Sequence, residues 1–185
     1  LPNKFEKINR LVRKGLARKW IDVLGVIPYN PMLSWPTMEQ ILEETGFELL
    51  CGKDYLERSV SRVMVGAMEA CEAIKYIADD SLIITPGDRK DIIMAVLGCF
   101  MSSDGRRLKV SGMVLSGGII PEQPIMNLLN KAQIPVLLAK GDTYSVATSI
   151  HDLKVKIRCG DTNKINAVIK LIKESVNLDK ILSGI

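Results

Sequence analysis

The sequence predicts an α/β protein built on a mostly parallel sheet. Three observations carry this. Leu82-Ile83-Ile84 is an apolar run closed by Thr85-Pro86-Gly87, and a segment with Ile92, Ile93, Val96, Leu97 and Phe100 at helical spacing follows, with Asp88 or Gly87 near its cap. Gly112-Met113-Val114-Leu115-Ser116-Gly117-Gly118 leads into a second helix from about Glu122. Pro135-Val136-Leu137-Leu138-Ala139-Lys140-Gly141-Asp142-Thr143 leads into a third from about Thr143. Strand, turn and helix in that order are half of a βαβ unit. In a parallel sheet the three turns fall on one edge, where open α/β folds take their ligands.

The other elements follow in order. Phe5, Ile8, Leu11, Val12 and Leu16 predict a helix over about 3–19. Ile21 to Ile27 reads as a short strand, and Pro31 to Pro36 as a linker and domain boundary. Thr37-Met38-Glu39-Gln40 fits a capping box, in which the threonine hydroxyl and the glutamine amide satisfy free backbone donors. That helix should stop at Gly46. Glu48 to Cys51 and Arg62 to Ala67 read as strands, and 67–78 as a helix with Met68, Cys71, Ile74 and Ile77 on one face. Ser102 to Lys109 is a polar loop. Lys154 to Cys159 alternates weakly and is read as a strand. Asp161-Thr162 then caps a helix striped by Ile165, Val168, Ile169, Ile172 and Val176.

The 185 residues, 47% of them hydrophobic, suit one compact α/β domain with an appendage. No apolar run reaches the roughly 18–20 residues that cross a bilayer, and no signal peptide is read. The chain opens Leu1-Pro2 without a methionine, as part of a longer polypeptide would. Cys51, Cys71, Cys99 and Cys159 are too far apart in sequence for a zinc site, and His151 is the only histidine. Cys71 and Cys99 are expected to be buried thiols, which fits a reducing, cytoplasmic setting. Residues 1–20 hold seven basic side chains against Glu6, a balance of +6, while the whole chain carries +4. This is read as a solvated helix face, or one that meets another domain. No aromatic or arginine-rich pattern continues it into a nucleic-acid groove.

Several residues invite a functional reading. Asp88 and Arg89 at a strand end can bind phosphate or orient water; they can equally cap the helix and pair with a neighbour. Gly117-Gly118 can admit a phosphate or form a tight turn. Asp142-Thr143-Tyr144 can cap a helix and place a phenol over the same edge. The candidate ligand site is therefore Thr85, Gly87, Asp88, Arg89, Ser116, Gly117, Gly118, Asp142 and Thr143, suited to an anion at helix N-termini. No catalytic residue, metal ligand or cofactor is read. His151 is placed at a helix end, and Glu69 and Glu72 on a solvated face.

Residues from about 37 to 150 resemble the DRTGG domain. The resemblance rests on Val65-Gly66-Ala67-Met68, on Ile83 through Ile93, on Leu115-Ser116-Gly117-Gly118, and on Pro135-Val136-Leu137-Leu138 with Asp142-Thr143-Tyr144. Asp88-Arg89-Lys90-Asp91-Ile92 stands where the family has Asp-Arg-Thr-Gly-Gly. The resemblance implies a three-layer α/β/α fold like the N-terminal domain of HPr kinase/phosphorylase. It also implies kinship with the N-terminal region of phosphate acetyltransferases. Val23-Leu24-Gly25-Val26-Ile27-Pro28 resembles the tail of a dethiobiotin-synthetase-like P-loop domain, although no Gly-x-x-x-x-Gly-Lys-Ser/Thr string occurs. The implied layout is 1–36 as that tail or a linker, 37–153 as the DRTGG-type domain, and 154–185 as a packing or dimerisation strand and helix. The implied function is non-catalytic regulation or assembly, as a homodimer, with a small anionic metabolite or nucleotide as ligand and a P-loop or acetyltransferase domain as partner. The alternatives are a fragment of a P-loop ATP-dependent ligase, or a purely structural oligomerisation module.

Overall fold

The structure is a computed structural model and describes residues 2–101 and 109–184. Its elements are α1 (Pro2–Ala17), α2 (Met38–Thr45), β1 (Glu48–Cys51), β2 (Arg62–Val65), α3 (Ala70–Ala73), β3 (Ser81–Pro86), α4 (Lys90–Met101), β4 (Gly112–Ser116), α5 (Gln123–Ala132), β5 (Val136–Leu138), α6 (Thr143–His151), α7 (Thr162–Ser175) and α8 (Leu178–Leu182). Short 3₁₀ turns lie at Pro31–Ser34, Lys53–Tyr55 and Ile74–Tyr76. The chain divides into two compact units, Trp35–Val155 and Leu1–Ser34 with Lys156–Ile185.

In the larger unit the five strands run in the order β1-β5-β4-β3-β2. β2, β3, β4 and β5 are parallel, and β1 is antiparallel to β5. Side chains of alternate parity separate two cores. Ile83, Met113, Leu115, Val136 and Leu138 meet α4 and α5 on one face. Leu82, Ile84, Val114 and Leu137 meet Met38 and Ile41 of α2 and Val146 and Ile150 of α6 on the other. The helices that follow β2, β3 and β4 thus share one face. After β5 the chain changes face, and α6 returns across β3 and β2.

Local chemistry explains several boundaries. The Gln40 amide N–H donates to Thr37 Oγ1 at 3.1 Å, and the Thr37 N–H donates to Gln40 Oε1 at 3.1 Å, closing the expected capping box. Gly46 ends α2 at φ 67°, a conformation that a Cβ disfavours. Among the described residues no helix is long and apolar enough to cross a membrane.

Several expectations are corrected. Residues 21–27 form no strand: only Gly25 bridges, to Val176, so the apolar run lacks a continuous partner. Residues 154–159 are likewise irregular. The helix expected over 67–78 shrinks to α3 and one 3₁₀ turn, because the carbonyls of Gly66 and Met68 accept from Arg89 rather than from a helix of their own. With so short a helix Cys71 is exposed, and Cys99 is only half-buried. Asp161 does not cap α7 through its side chain; its Oδ2 accepts from the Arg158 N–H at 2.9 Å. Ile165, Val168 and Ile172 along α7, and Val176 just after it, are half-buried, and Ile169 is exposed. The loop expected over 102–109 lies, apart from Lys109, outside the described residues.

Candidate functional site

The C-terminal ends of β2 to β5 bring four turns to one edge, and those turns bond to one another. The Gly87 N–H donates to the Ser116 carbonyl at 3.2 Å, Gly117 to Gly141 at 2.8 Å and Gly118 to Ala139 at 2.9 Å. Ser116 Oγ and Thr143 Oγ1 lie 2.8 Å apart and hydrogen-bond to each other, either hydroxyl being able to donate. Gly117 and Gly118 both have positive φ, 81° and 67°, which builds the tight turn. The glycine amides are therefore committed within the protein.

Helix N-termini at this edge differ. Asp142 caps α6: its Oδ1 accepts from the Tyr144 and Ser145 amides at 3.0 Å each, and its Oδ2 from the Ser145 hydroxyl at 2.6 Å. The Ser145 hydroxyl and then the Ser145 amide hold this carboxyl below the usual carboxylate range. Asp88 does not cap α4 as expected. It is exposed, while the Ile93 amide of the first turn donates to the Arg89 carbonyl at 3.1 Å. Thr85 is fully buried, and its hydroxyl has no hydrogen-bond partner.

Beside these turns lies a cleft of about 500 Å³, lined by Val65, Gly66, Ala67, Pro86, Arg89, Thr143, Tyr144 and Ala147. It sits where α6 crosses the ends of β2 and β3. Arg89 braces it. Its Nε and Nη2 donate to Asp91 Oδ1 and Oδ2 at 2.9 and 2.8 Å, its Nη2 also to the Met68 carbonyl at 2.8 Å, and its Nη1 to the Gly66 carbonyl at 3.5 Å. Of the nine residues expected at the site, Arg89 and Thr143 line the cleft. Thr85, Gly87 and Ser116 are buried beneath the edge, Gly117 and Gly118 form its turn, Asp142 is a cap and Asp88 faces solvent. The site set lacked Tyr144, whose phenol had been placed over this edge, and the small residues Gly66, Ala67 and Ala147. Among the described residues no cluster of His, Cys, Asp or Glu is arranged to hold a metal.

Two outcomes follow from the Arg89 bonds. Arg89→Ala should cost about 1 kcal/mol of stability, the scale of a half-exposed charge-assisted contact discounted for solvent. A denaturation curve superimposable on wild type would refute the brace. The Arg89 hydrogen bond also lowers the Asp91 carboxyl from its ordinary 3.8 to about 2. A folded value below the unfolded one contributes stability above the unfolded pKa, lost as pH falls toward 2. Asp91→Asn should therefore be less stable than wild type at pH 6 and converge with it near pH 2. A gap unchanged over that range would exclude the linkage.

An open, mostly parallel sheet with a cleft at the carboxyl ends of its strands, braced by one arginine, defines a domain of the α/β class. Residues 40–153 match the DRTGG domain family, and the chain belongs to it. Curated relatives include the phosphate acetyltransferases of Nitratidesulfovibrio vulgaris, 30% identical over 82% of this chain and 22% of that enzyme, and of a Synechocystis species, 30% identical over 87% and 23%. That of Pseudomonas putida is 26% identical over 81% and 21%. The chain thus spans about a fifth of the length of these enzymes. Among solved structures it is similar to the CBS and DRTGG domains of the regulatory region of Clostridium perfringens pyrophosphatase, complexed with the activator diadenosine tetraphosphate. The TM-score is 0.52 at 19% identity, over 76% of this chain and 67% of that one, a likeness of fold.

Proposed function

We propose that this chain is a non-catalytic regulatory module that binds a small anionic metabolite or nucleotide at the C-terminal edge of its sheet. The cleft beside Arg89 and Thr143 carries the reading: its volume of about 500 Å³ falls in the range of roughly 300–1,000 Å³ usual for ligand sites. It also lies outside the carboxyl ends of parallel strands, where α/β sheets take ligands. The regulatory role follows from membership of the DRTGG family and kinship with phosphate acetyltransferases. Under this reading 37–153 is the ligand-binding domain, with an HPr-kinase-N-terminal-like arrangement. Residues 1–36 are the tail of a dethiobiotin-synthetase-like domain or a linker, and 154–185 packs or dimerises. Cysteines without disulfide partners fit a cytoplasmic setting.

Calorimetric titration with nucleotides, acetyl-CoA and phosphorylated metabolites should give saturable binding for at least one. No binding at millimolar concentration would sink the reading. The chain alone should turn over neither ATP nor GTP; turnover abolished by a point mutation in the chain would overturn this.

Assembly is favoured by one observation: β2 is an edge strand whose Val63 and Val65 are 40% and 39% exposed. A homodimer is the expected state, and sedimentation showing only monomer at tens of micromolar, roughly the scale of a moderately tight dimer, would exclude it.

A further inference from the structure

We infer that the cleft takes a flat, neutral heteroaromatic ring, a nucleobase, stacked on Tyr144, and that Arg89 braces the cleft wall rather than receiving an anion. This rests on the ligand reading above and specifies which half of the ligand enters.

The walls come first. The side chains of Val65, Ala67, Pro86 and Ala147, four of the residues that line the cleft, are hydrocarbon. Tyr144 stands at 81% exposure while lining it. A phenol ring that bare gains most from a planar partner that covers it, and such stacking tolerates any base because every base has a π-face.

The charges point the same way. A guanidinium has five N–H donors, and four are already committed to Asp91, Met68 and Gly66. Asp91 neutralises it, and the exposed Asp88 adds a further negative charge. A phosphate placed there meets a net negative neighbourhood. The other anion receptors expected at a sheet edge are also taken: the Gly117 and Gly118 amides by the 139–141 loop, and the α6 N-terminus by Asp142. What remains in the cleft beside the stacked ring is one guanidinium N–H and the Thr143 hydroxyl, which keeps bonding capacity beyond its contact with Ser116. Single, separated hydrogen-bonding groups of this kind read the edge of a base. A phosphate on the ligand then lies outside the cleft. There Lys140, exposed in the β5–α6 loop, has no ion-pair partner among the described residues.

The test titrates adenosine, guanosine, cytidine and uridine, their 5′-monophosphates, and inorganic pyrophosphate by calorimetry. At least one nucleoside should bind within about ten-fold of its monophosphate, and pyrophosphate should not bind. Tyr144→Ala should weaken that nucleoside by roughly five- to hundred-fold, the reach of one stacked base. Tyr144→Phe should bind within about three-fold of wild type, since the ring is kept. An exposed residue leaves the denaturation midpoint in place, so lost binding cannot be lost folding. If pyrophosphate or a metabolite without a ring binds, no nucleoside does, and Tyr144→Ala leaves that binding unchanged, the base assignment is wrong while the ligand reading stands. If these probes and the wider panel all fail, both fall.

Discussion

Gly87→Ala is expected to destabilise the domain by at least about 3 kcal/mol, the upper end of ordinary overpacking. An added Cβ would lie 1.8 Å from the Ile119 carbonyl oxygen and 2.7 Å from its carbonyl carbon. Both are backbone atoms, so no side-chain rotation relieves the clash. The Gly87 N–H donates to the Ser116 carbonyl, so moving the turn away breaks the bond that ties the β3 end to the β4 end. A domain of marginal stability, typically about 5–15 kcal/mol, loses a large share of it. Gly141→Ala is the control at the same edge. Its Cβ would meet only Ser145 and Val146 side-chain atoms at 3.7 Å, an ordinary contact. Equal denaturation midpoints for Gly87→Ala and wild type would refute the close approach. At Gly87, one of the candidate site residues, it is the protein's own backbone that makes the close approach.

What was legible in the sequence was local. The runs at 82–84, 112–116 and 136–138 are short, apolar and closed by glycine or proline, so their strands and following helices could be placed. The capping box and the Gly46 stop were equally readable, because both partners lie within a few residues. What failed was set by distant partners. An apolar run such as Ile21–Ile27 becomes a strand only beside another, and only Gly25 has one. The 67–78 helix was cut short by an arginine more than twenty residues away. The same holds at the site. The clustering of turns at one edge was visible in the spacing, but the saturation of their donors was not, since the Gly117–Gly141 and Gly118–Ala139 bonds join separate βα loops. Tyr144 was noticed as a phenol above the edge; its bareness, and the small residues that make room beside it, needed the fold.

Leu82→Ala should cost about 2–5 kcal/mol, whereas Val63→Ala, its register partner on the neighbouring strand, should cost less than about 1 kcal/mol. The two residues face each other across β3 and β2. Leu82 is fully buried in the core shared with α2 and α6, while Val63 is 40% exposed on the edge strand. Truncating Leu82 leaves a cavity between a central strand and two helices. The neighbours that must collapse into it, Ile84, Val114 and Val146, are themselves held in register by the sheet or by α6. Truncating Val63 removes methyl groups that already touch water, and water fills the space. The contrast also bears on the ligand site, because Leu82 and Val63 begin the strand segments whose ends, Pro86 and Val65, line the cleft. Loss of the β3 anchor should therefore weaken the cleft together with the fold, and loss of the edge methyls should weaken neither. The checks are chemical denaturation of both variants and calorimetry with the nucleosides. Equal costs at the two positions would mean that β2 is as buried as β3, covered by a second copy or another domain. A Val63→Ala cost that grows with protein concentration would assign that cover to the second copy.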